Sequence, residues 1–312
     1  MVATTDGTGN ATIDGVTYAA ALLLLVVSVF QAPAFQSDPP HKCDSCDDWN
    51  KPREPFKVFG NTYFVGTDGL SSILIAGDAG LVLLDGGLEQ SAAVIDANIR
   101  RLGFKTSDVK LIVNSHGHYD HAGGIAALQR ASGATVAASP SGADALRRGE
   151  NTPDDPQYGF GKADNGFPPV KNVKVIKDGE RLSVGNVTIT AVFMPGHTPG
   201  ATTWTWRSCE GKECRDIVYA DSISAVAAPG YKFTDFPEVI AKFRRTVSRM
   251  AELPCDIVVS THPQATDLDA KIKKRADLKG AGPDPFVDHG CKALAAAALK
   301  GLEARIAEEK KQ

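Results

Sequence analysis

The run His116-Gly117-His118-Tyr119-Asp120-His121 places four groups able to hold a metal ion within six positions. Two more histidines follow, His197 in Pro195-Gly196-His197-Thr198-Pro199-Gly200 and His262 in Ser260-Thr261-His262-Pro263. Five of the chain's seven histidines therefore belong to one candidate site, and no cysteine takes a ligand position. Imidazole and carboxylate donors suit zinc, whereas calcium or magnesium takes mostly oxygen. In an extended or tightly turned loop, residues i and i+2 share a face. His116 and His118 can then chelate one ion while Asp120 and His121 turn toward a neighbouring one. Six donors give two ions three protein ligands each, which leaves the open position that a catalytic zinc site keeps and a structural site lacks. Water shared by two such ions ionises near neutral pH and supplies hydroxide without a general base. A lone histidine reads most simply as a polar loop residue. Four donors in one short run, with two more at strand ends, point to metal-assisted hydrolysis.

Each donor lies just past the C-terminal end of a strand-like run, where a sheet can project side chains from separate segments into one cleft. Val109 to Val113 leads to the histidine run, Val187 to Phe193 to His197, and Ile257 to Ser260 to His262. Earlier runs of β type are Thr62 to Val65, Ser72 to Ile75 and Leu81 to Leu84, the last ended by Asp85-Gly86-Gly87. Ser91 to Leu102 and Gly123 to Ser132 read as helices. The second half repeats the pattern with strands Val173 to Ile176 and Arg181 to Val184, a hairpin of Thr202 to Trp206 with Ile217 to Tyr219, and helices Phe236 to Met250 and Cys291 to Lys310. Two halves, each of strands followed by helices, predict an α/β architecture of two packed sheets with helices outside. Gly142 to Pro169, rich in Pro, Asp and Gly, is the one long irregular segment, and loops of that size are usually functional or disordered.

A length of 312 residues allows two domains but also one large sandwich. With 43% hydrophobic and 23% charged residues the composition is that of a soluble globular protein. A net charge of −3 without a basic stripe gives no sign of a nucleic-acid partner, and none is expected. The apolar run Ala19 to Phe30 is too short to span a bilayer comfortably, and Ala32-Pro33-Ala34 follows it as a small-x-small cleavage pattern. Asp6 and Asp14 precede the run without any Lys or Arg, an imperfect fit for which a membrane anchor or a mis-assigned start is the alternative. The expected organisation is a signal peptide over 1–34, a linker over 35–54 and a single domain over 55–312. Export to the periplasm or medium follows from that reading.

The six cysteines fall as three even pairs, Cys43 with Cys46, Cys209 with Cys214, and Cys255 with Cys291. Disulfides in an oxidising compartment explain them better than metal does. Cys43-x-x-Cys46 has a redox or half-zinc alternative, lowered by the absence of any βαβ context around it. The two remaining histidines, His41 in the Pro-rich segment and His289 beside Cys291, read as surface residues.

The motif His116-x-His118-x-Asp120-His121, preceded by Asp85-Gly86-Gly87 and followed by His197 and His262, resembles the metallo-β-lactamase superfamily from Trp49 onward. Within it the chain is most similar to the subclass B3 enzymes. Gly196-His197-Thr198-Pro199-Gly200-Ala201-Thr202-Thr203-Trp204-Thr205-Trp206, Tyr219-Ala220-Asp221-Ser222 and Leu253-Pro254-Cys255-Asp256 carry that closer likeness. The superfamily motif is promiscuous in function, and these added segments are far more specific. The resemblance implies a four-layer αββα sandwich of two ββα-like halves. It implies two zinc ions, one on His116, His118 and His197 and one on Asp120, His121 and His262. It further implies hydrolysis of the β-lactam amide of penicillins, cephalosporins and carbapenems by a di-zinc-activated hydroxide.

By the same resemblance Ser222 and Ser224 would bind the substrate carboxylate, and Gln157 matches a substrate-contacting glutamine of some relatives. Asp85 would orient the histidine loop. Cys255 with Cys291 would tie the last strand region to the closing helix, and Cys209 with Cys214 would close the hairpin loop. Some relatives pair a cysteine at the Cys43 position with one near Asp68; that partner is missing here, which leaves Cys46. The protein is expected to act as a monomer on a small molecule, without stable membrane association after cleavage. Asp221 keeps a rival alive, a lactonase or thioesterase on the same fold, because many such enzymes bridge their metals with an aspartate in this region. A secreted zinc-binding protein without catalysis is a third reading, opposed by the open coordination positions and the roomy loop.

Overall fold

The computed structural model describes residues 35–311, so the leader read over 1–34 lies outside the described residues. The first half runs α1 (Cys46–Trp49), β1 (Phe56–Phe59), β2 (Thr62–Phe64), β3 (Ile73–Gly77), β4 (Gly80–Leu84), α2 (Ser91–Arg101), β5 (Val109–Val113), α3 (Tyr119–Ala122), α4 (Ile125–Ser132), β6 (Thr135–Ala138), α5 (Pro140–Arg148), α6 (Lys162–Asn165) and β7 (Val173–Val175). The second runs β8 (Arg181–Val184), β9 (Val187–Phe193), β10 (Thr202–Glu210), β11 (Glu213–Ala220), α7 (Pro237–Glu252), β12 (Ile257–Ser260), α8 (Leu268–Leu278) and α9 (Cys291–Glu309). The strands make one sheet of order β1-β2-β3-β4-β5-β6-β7 and a second of order β12-β11-β10-β9-β8.

Strand periodicity explains why the sheets stack. Successive side chains of a strand point to opposite faces. Ile73 and Ile75 of β3 and Val82 and Leu84 of β4 enter one core, where they meet Ile189, Trp204, Trp206, Ile217 and Tyr219 of the second sheet. The alternate residues Leu74, Leu81 and Leu83 enter another, against Ile95 and Ile99 of α2 and Ile125 and Leu128 of α4. A third core sets Val192, Val218 and Val258 against Phe243 and Met250 of α7 and Ala295 and Leu302 of α9. The result is helix, sheet, sheet, helix, the expected αββα sandwich. β4, β5 and β6 pair in parallel, and α2 and α4 supply the crossovers that parallel neighbours require.

Of the elements that went unread in the sequence, β6, α8 and α5 show why. β6 is short and half alanine. α8 buries only Leu268, so its apolar periodicity is faint. α5 occupies the start of the segment read as irregular, and its signals are local: the Ser139 hydroxyl accepts from the Gly142 N–H, Pro140 opens the first turn, and Gly149 ends it at a left-handed φ of 68°. The hairpin is also longer than read, because Cys209 and Cys214 are direct cross-strand partners and carry the pairing out to Glu210 and Glu213. All three cysteine pairs form disulfides, Cys43–Cys46, Cys209–Cys214 and Cys255–Cys291. Among the described residues, no helix is long and apolar enough to cross a membrane.

Cys255–Cys291 spans 36 residues and fastens the end of α7 to the start of α9. Replacing both cysteines by alanine is expected to lower unfolding stability by about 2–5 kcal/mol in urea titration, since a cross-link of this span constrains the unfolded chain. An unchanged midpoint would show that the bridge contributes nothing.

Candidate metal centre

The histidine run leaves β5 through Asn114 and Ser115, and both residues are fixed from two sheets. Asp85, next after β4, accepts from the Ser115 N–H at 2.7 Å and the Asn114 side-chain amide at 3.0 Å through one carboxylate oxygen. Its other oxygen accepts from the Tyr219 hydroxyl of β11 at 2.8 Å. From β10, the Trp204 indole donates to the Asn114 carbonyl at 3.1 Å, and the Thr202 N–H donates to the Ser115 carbonyl at 2.8 Å. At Gly117 a Cβ would stand 2.4 Å from that of Ala145, so only glycine lets α5 approach the loop. The single turn of α3 then aims Asp120 and His121 inward.

All six predicted donors converge. Ligand atoms of His116, His118 and His197 lie within 4.8 Å of one another, as do those of His116, Asp120 and His121. His262 joins through Asp120, its Nε2 lying 3.3 Å from the carboxylate, and His121 Nε2 lies 3.2 Å from the same oxygen. The rings of His116 and His121 are 4.4 Å apart, so His116 stands between the two groups.

Four of the five histidines have one nitrogen held by the protein, which leaves the other for metal. His116 Nδ1 meets Asp221 at 2.6 Å, and His118 Nε2 meets Asp155 at 3.1 Å. His197 Nδ1 meets the Ser224 carbonyl at 2.9 Å, and His262 Nδ1 the Gly69 carbonyl at 3.3 Å. Such partners fix ring orientation and tautomer.

The electrostatics suit a cation. Burial, reinforced by the neighbouring imidazoles His121 and His118, holds His116 well below the ordinary histidine range. Burial likewise lowers His197 to about 3, with His118 adding to it. Both rings are therefore neutral, the form that binds metal. Burial opposes the charge on Asp120, but His121 and His262 override it and hold the carboxyl well below its usual range. Burial raises Asp221 far above that range, and Asp85 beside it adds to the effect.

Asp85, Asp120 and Asp221 are all buried, and among the described residues none makes an ion pair with a lysine or arginine. Among the described residues, His116 Nε2 and both nitrogens of His121 are buried without a hydrogen-bond partner. Unpaired buried polar atoms and uncompensated buried carboxylates are costly. A bound divalent cation relieves both, so the residues fit a metal of nitrogen and oxygen preference.

The remaining sequence-predicted residues surround this cluster. The Ser222 hydroxyl hydrogen-bonds with Thr261 at 2.9 Å, beside His262. Ser224 holds His197 with its carbonyl, and its hydroxyl lies 3.2 Å from the same nitrogen. The Gln157 N–H donates to Asp155 at 2.8 Å, which puts Gln157 two residues past the His118 support. Asp155 itself was missed as a functional residue: a lone acid in an irregular segment carries no spacing signal. His289 is exposed as read. His41 is not a surface residue. Its side chain is only 8% exposed, stacks on Tyr119 at 4.0 Å between ring centroids, and approaches Glu89. Its Pro-rich surroundings suggested solvent, whereas Gln90 ties its backbone down on both sides. A cavity of about 510 Å³ borders the cluster through Asp155, Gly196 and Thr198, with Tyr158, Tyr231 and Phe236 among its walls.

A two-sheet sandwich with six nitrogen and oxygen donors at its strand ends defines a metal-dependent hydrolase class, and the comparisons agree. The model of the metallo-beta-lactamase superfamily matches residues 65–262, and the chain belongs to that superfamily. Among solved structures, Rm3 metallo-beta-lactamase is 49% identical, with a TM-score of 0.82 over 86% of this chain and 99% of that one. MEM-A1, a subclass B3 metallo-beta-lactamase isolated from a soil metagenome library, is 44% identical, with a TM-score of 0.80 over 85% of this chain and 99% of that one. The acyl-coenzyme A thioesterase MBLAC2 of Gallus gallus is 28% identical over 124 residues, 36% of this chain and 43% of that protein. The chain spans about half the length of the curated relatives it matches.

Asp221→Asn keeps the shape but loses the carboxylate behind His116, and is expected to weaken metal binding about 10- to 100-fold in chelator competition. Unchanged affinity would remove Asp221 from the site. The depressed histidines also set an acid limit. Their contribution to the stability of the metal-free protein is complete above the unfolded value of 6.5 and is lost as pH falls through each folded value, about 3 for His197 and well below the ordinary range for His116. The melting temperature of the metal-free chain should fall over that window, with a shallower slope in His197→Gln; equal slopes would contradict the buried, neutral assignment.

Proposed function

We propose that the chain is a subclass B3 metallo-β-lactamase, a zinc enzyme that hydrolyses the amide of penicillins, cephalosporins and carbapenems. The observation that carries this reading is an all-nitrogen-and-oxygen donor set in a chain 49% identical to Rm3 metallo-beta-lactamase across 99% of that protein. Two zinc ions are proposed, the first on His116, His118 and His197, the second on Asp120, His121 and His262. Bound zinc supplies Lewis acidity and a lowered water pKa. The chain's residues do the rest. Asp221, Asp155, Ser224 and Gly69 keep four imidazoles aimed with the free nitrogen inward. Asp120, held as an anion, accepts a hydrogen bond from water and orients it. Ser222, Ser224 and Gln157 are proposed contacts for the carboxylate and amide groups of the substrate, and the aromatic-walled cavity beside Asp155 is proposed to take its apolar side group.

The protein is further proposed to be exported, cut after Ala34, and to work as a monomer in the periplasm or medium, with no nucleic-acid partner and no stable membrane association. Three disulfides support an oxidising compartment.

A thioesterase or lactonase reading draws on the name of the MBLAC2 relative. Asp221 argues against it, because its carboxylate is engaged behind His116 rather than among the donors. Purified protein is expected to turn over a carbapenem and a cephalosporin rapidly, to lose that activity in EDTA and to keep it with clavulanate, since no serine nucleophile is involved. Bound zinc with thioester or lactone turnover but no lactam turnover would favour the rival. Full lactam hydrolysis after metal removal would overturn the mechanism.

A further inference from the structure

The donors differ in how firmly they are held. His116 and His118 lean on buried carboxylates at 2.6 and 3.1 Å. His262 leans on a turn carbonyl, Gly69, at 3.3 Å, and its side chain is 29% exposed, against 1% for His121 and 10% for Asp120 in the same group. Something else must hold it, and the neighbour in place is Trp49, whose ring lies 5.5 Å from the His262 ring.

Trp49 also builds the turn that carries the Gly69 carbonyl. Its own carbonyl accepts from the Gly69 N–H at 3.1 Å and from the Thr67 hydroxyl at 2.6 Å. At Gly69 a Cβ would stand 2.5 Å from the Trp49 ring and 2.7 Å from its Cα, so turn and tryptophan are in closest contact. From the other side, the Ser71 N–H donates to the carbonyl of Thr261, the residue before His262. Trp49 thus supports His262 twice, by its ring and through the Gly69 carbonyl.

The segment bearing Trp49 is itself anchored. Cys46 is buried with Leu70 and Leu88, and its disulfide to Cys43 closes the turn that starts α1. The next residue, Asn50, accepts from the Ser91 hydroxyl at 2.7 Å. Farther back, His41 stacks on Tyr119, the neighbour of Asp120. Residues 41–50 therefore lie against the Asp120–His121–His262 side of the cluster. Neither Trp49 nor this segment appears among the partners of His116, His118 or His197.

We infer that Trp49, on its Cys43–Cys46-stapled segment, is a positioning residue that sets the affinity of the second metal by holding His262. The inference rests on the two-metal reading above and assigns Trp49 no contact with substrate. Trp49→Ala removes the wall and loosens the turn, while Trp49→Phe keeps an aromatic wall. The Cys43→Ala/Cys46→Ala pair frees the segment while leaving Trp49, Gly69 and every donor in the sequence.

The test is zinc titration of the metal-free, full-length mature protein against a chromophoric chelator, repeated with cobalt for its visible spectrum. Wild type should take two equivalents. In Trp49→Ala the second zinc should bind about 10- to 100-fold more weakly, as for loss of other ligand supports. The first should stay within about twofold, and the cobalt bands of the second equivalent should change. Trp49→Phe should restore most of the affinity. The cysteine pair should move in the direction of Trp49→Ala, and carries the test if that variant does not fold. Unchanged second-metal affinity in these variants, or equal losses at both equivalents, would overturn the inference. A wild-type protein that binds only one zinc would overturn the two-metal reading itself, and this inference with it.

Discussion

One buried carboxylate, that of Asp85, joins the two sheets at the point where the donors leave them. It sits in the left-handed region at φ 59°, a conformation that aspartate tolerates better than most residues. From there it holds the first turn of the histidine loop and the Tyr219 hydroxyl together, and its own N–H donates to the Val113 carbonyl at 2.9 Å. Burial works against this group's charge and pushes its pKa up, with His121 pulling it down. The fold accepts that cost because the alternative is a histidine loop free to move against β11.

Around that joint the molecule divides the work between layers. The sheets deliver donors from three separate segments to one spot, and the carboxylates and carbonyls behind them choose which nitrogen faces inward. The cluster so formed is unfavourable by itself, with unpartnered buried imidazole nitrogens and, among the described residues, carboxylates that no lysine or arginine pairs. Metal binding is what makes it favourable, so in this protein affinity for the ion and stability of the site are one quantity.

The donors were legible because their chemistry depends on residue type and short spacing, both of which a sequence displays directly. The sandwich was legible for a related reason: strands such as Ile73–Gly77 and Gly80–Leu84 alternate between two apolar cores and leave dense hydrophobic runs. The supports were not. Asp155 and the Gly69 carbonyl act through contacts between segments 37 and 193 residues apart in sequence. Any aspartate or any backbone carbonyl could have served, so residue type carried no signal. His41 misled for the same reason, since the Tyr119 and Glu89 that bury it come from elsewhere in the chain. α5 was hidden by the Gly, Pro and Asp of the segment around it, although Ser139, Pro140 and Gly149 marked its ends.

The claim on which all of this depends is that two zinc ions are held by histidine and aspartate alone. Zinc X-ray absorption of the protein loaded with two equivalents tests it most directly. The account predicts a first shell of nitrogen and oxygen only, near ~2.0–2.2 Å, with no sulfur near ~2.3 Å, and a zinc–zinc distance of about 3.5–4 Å. A sulfur shell, or zinc with no second metal in range, would contradict it.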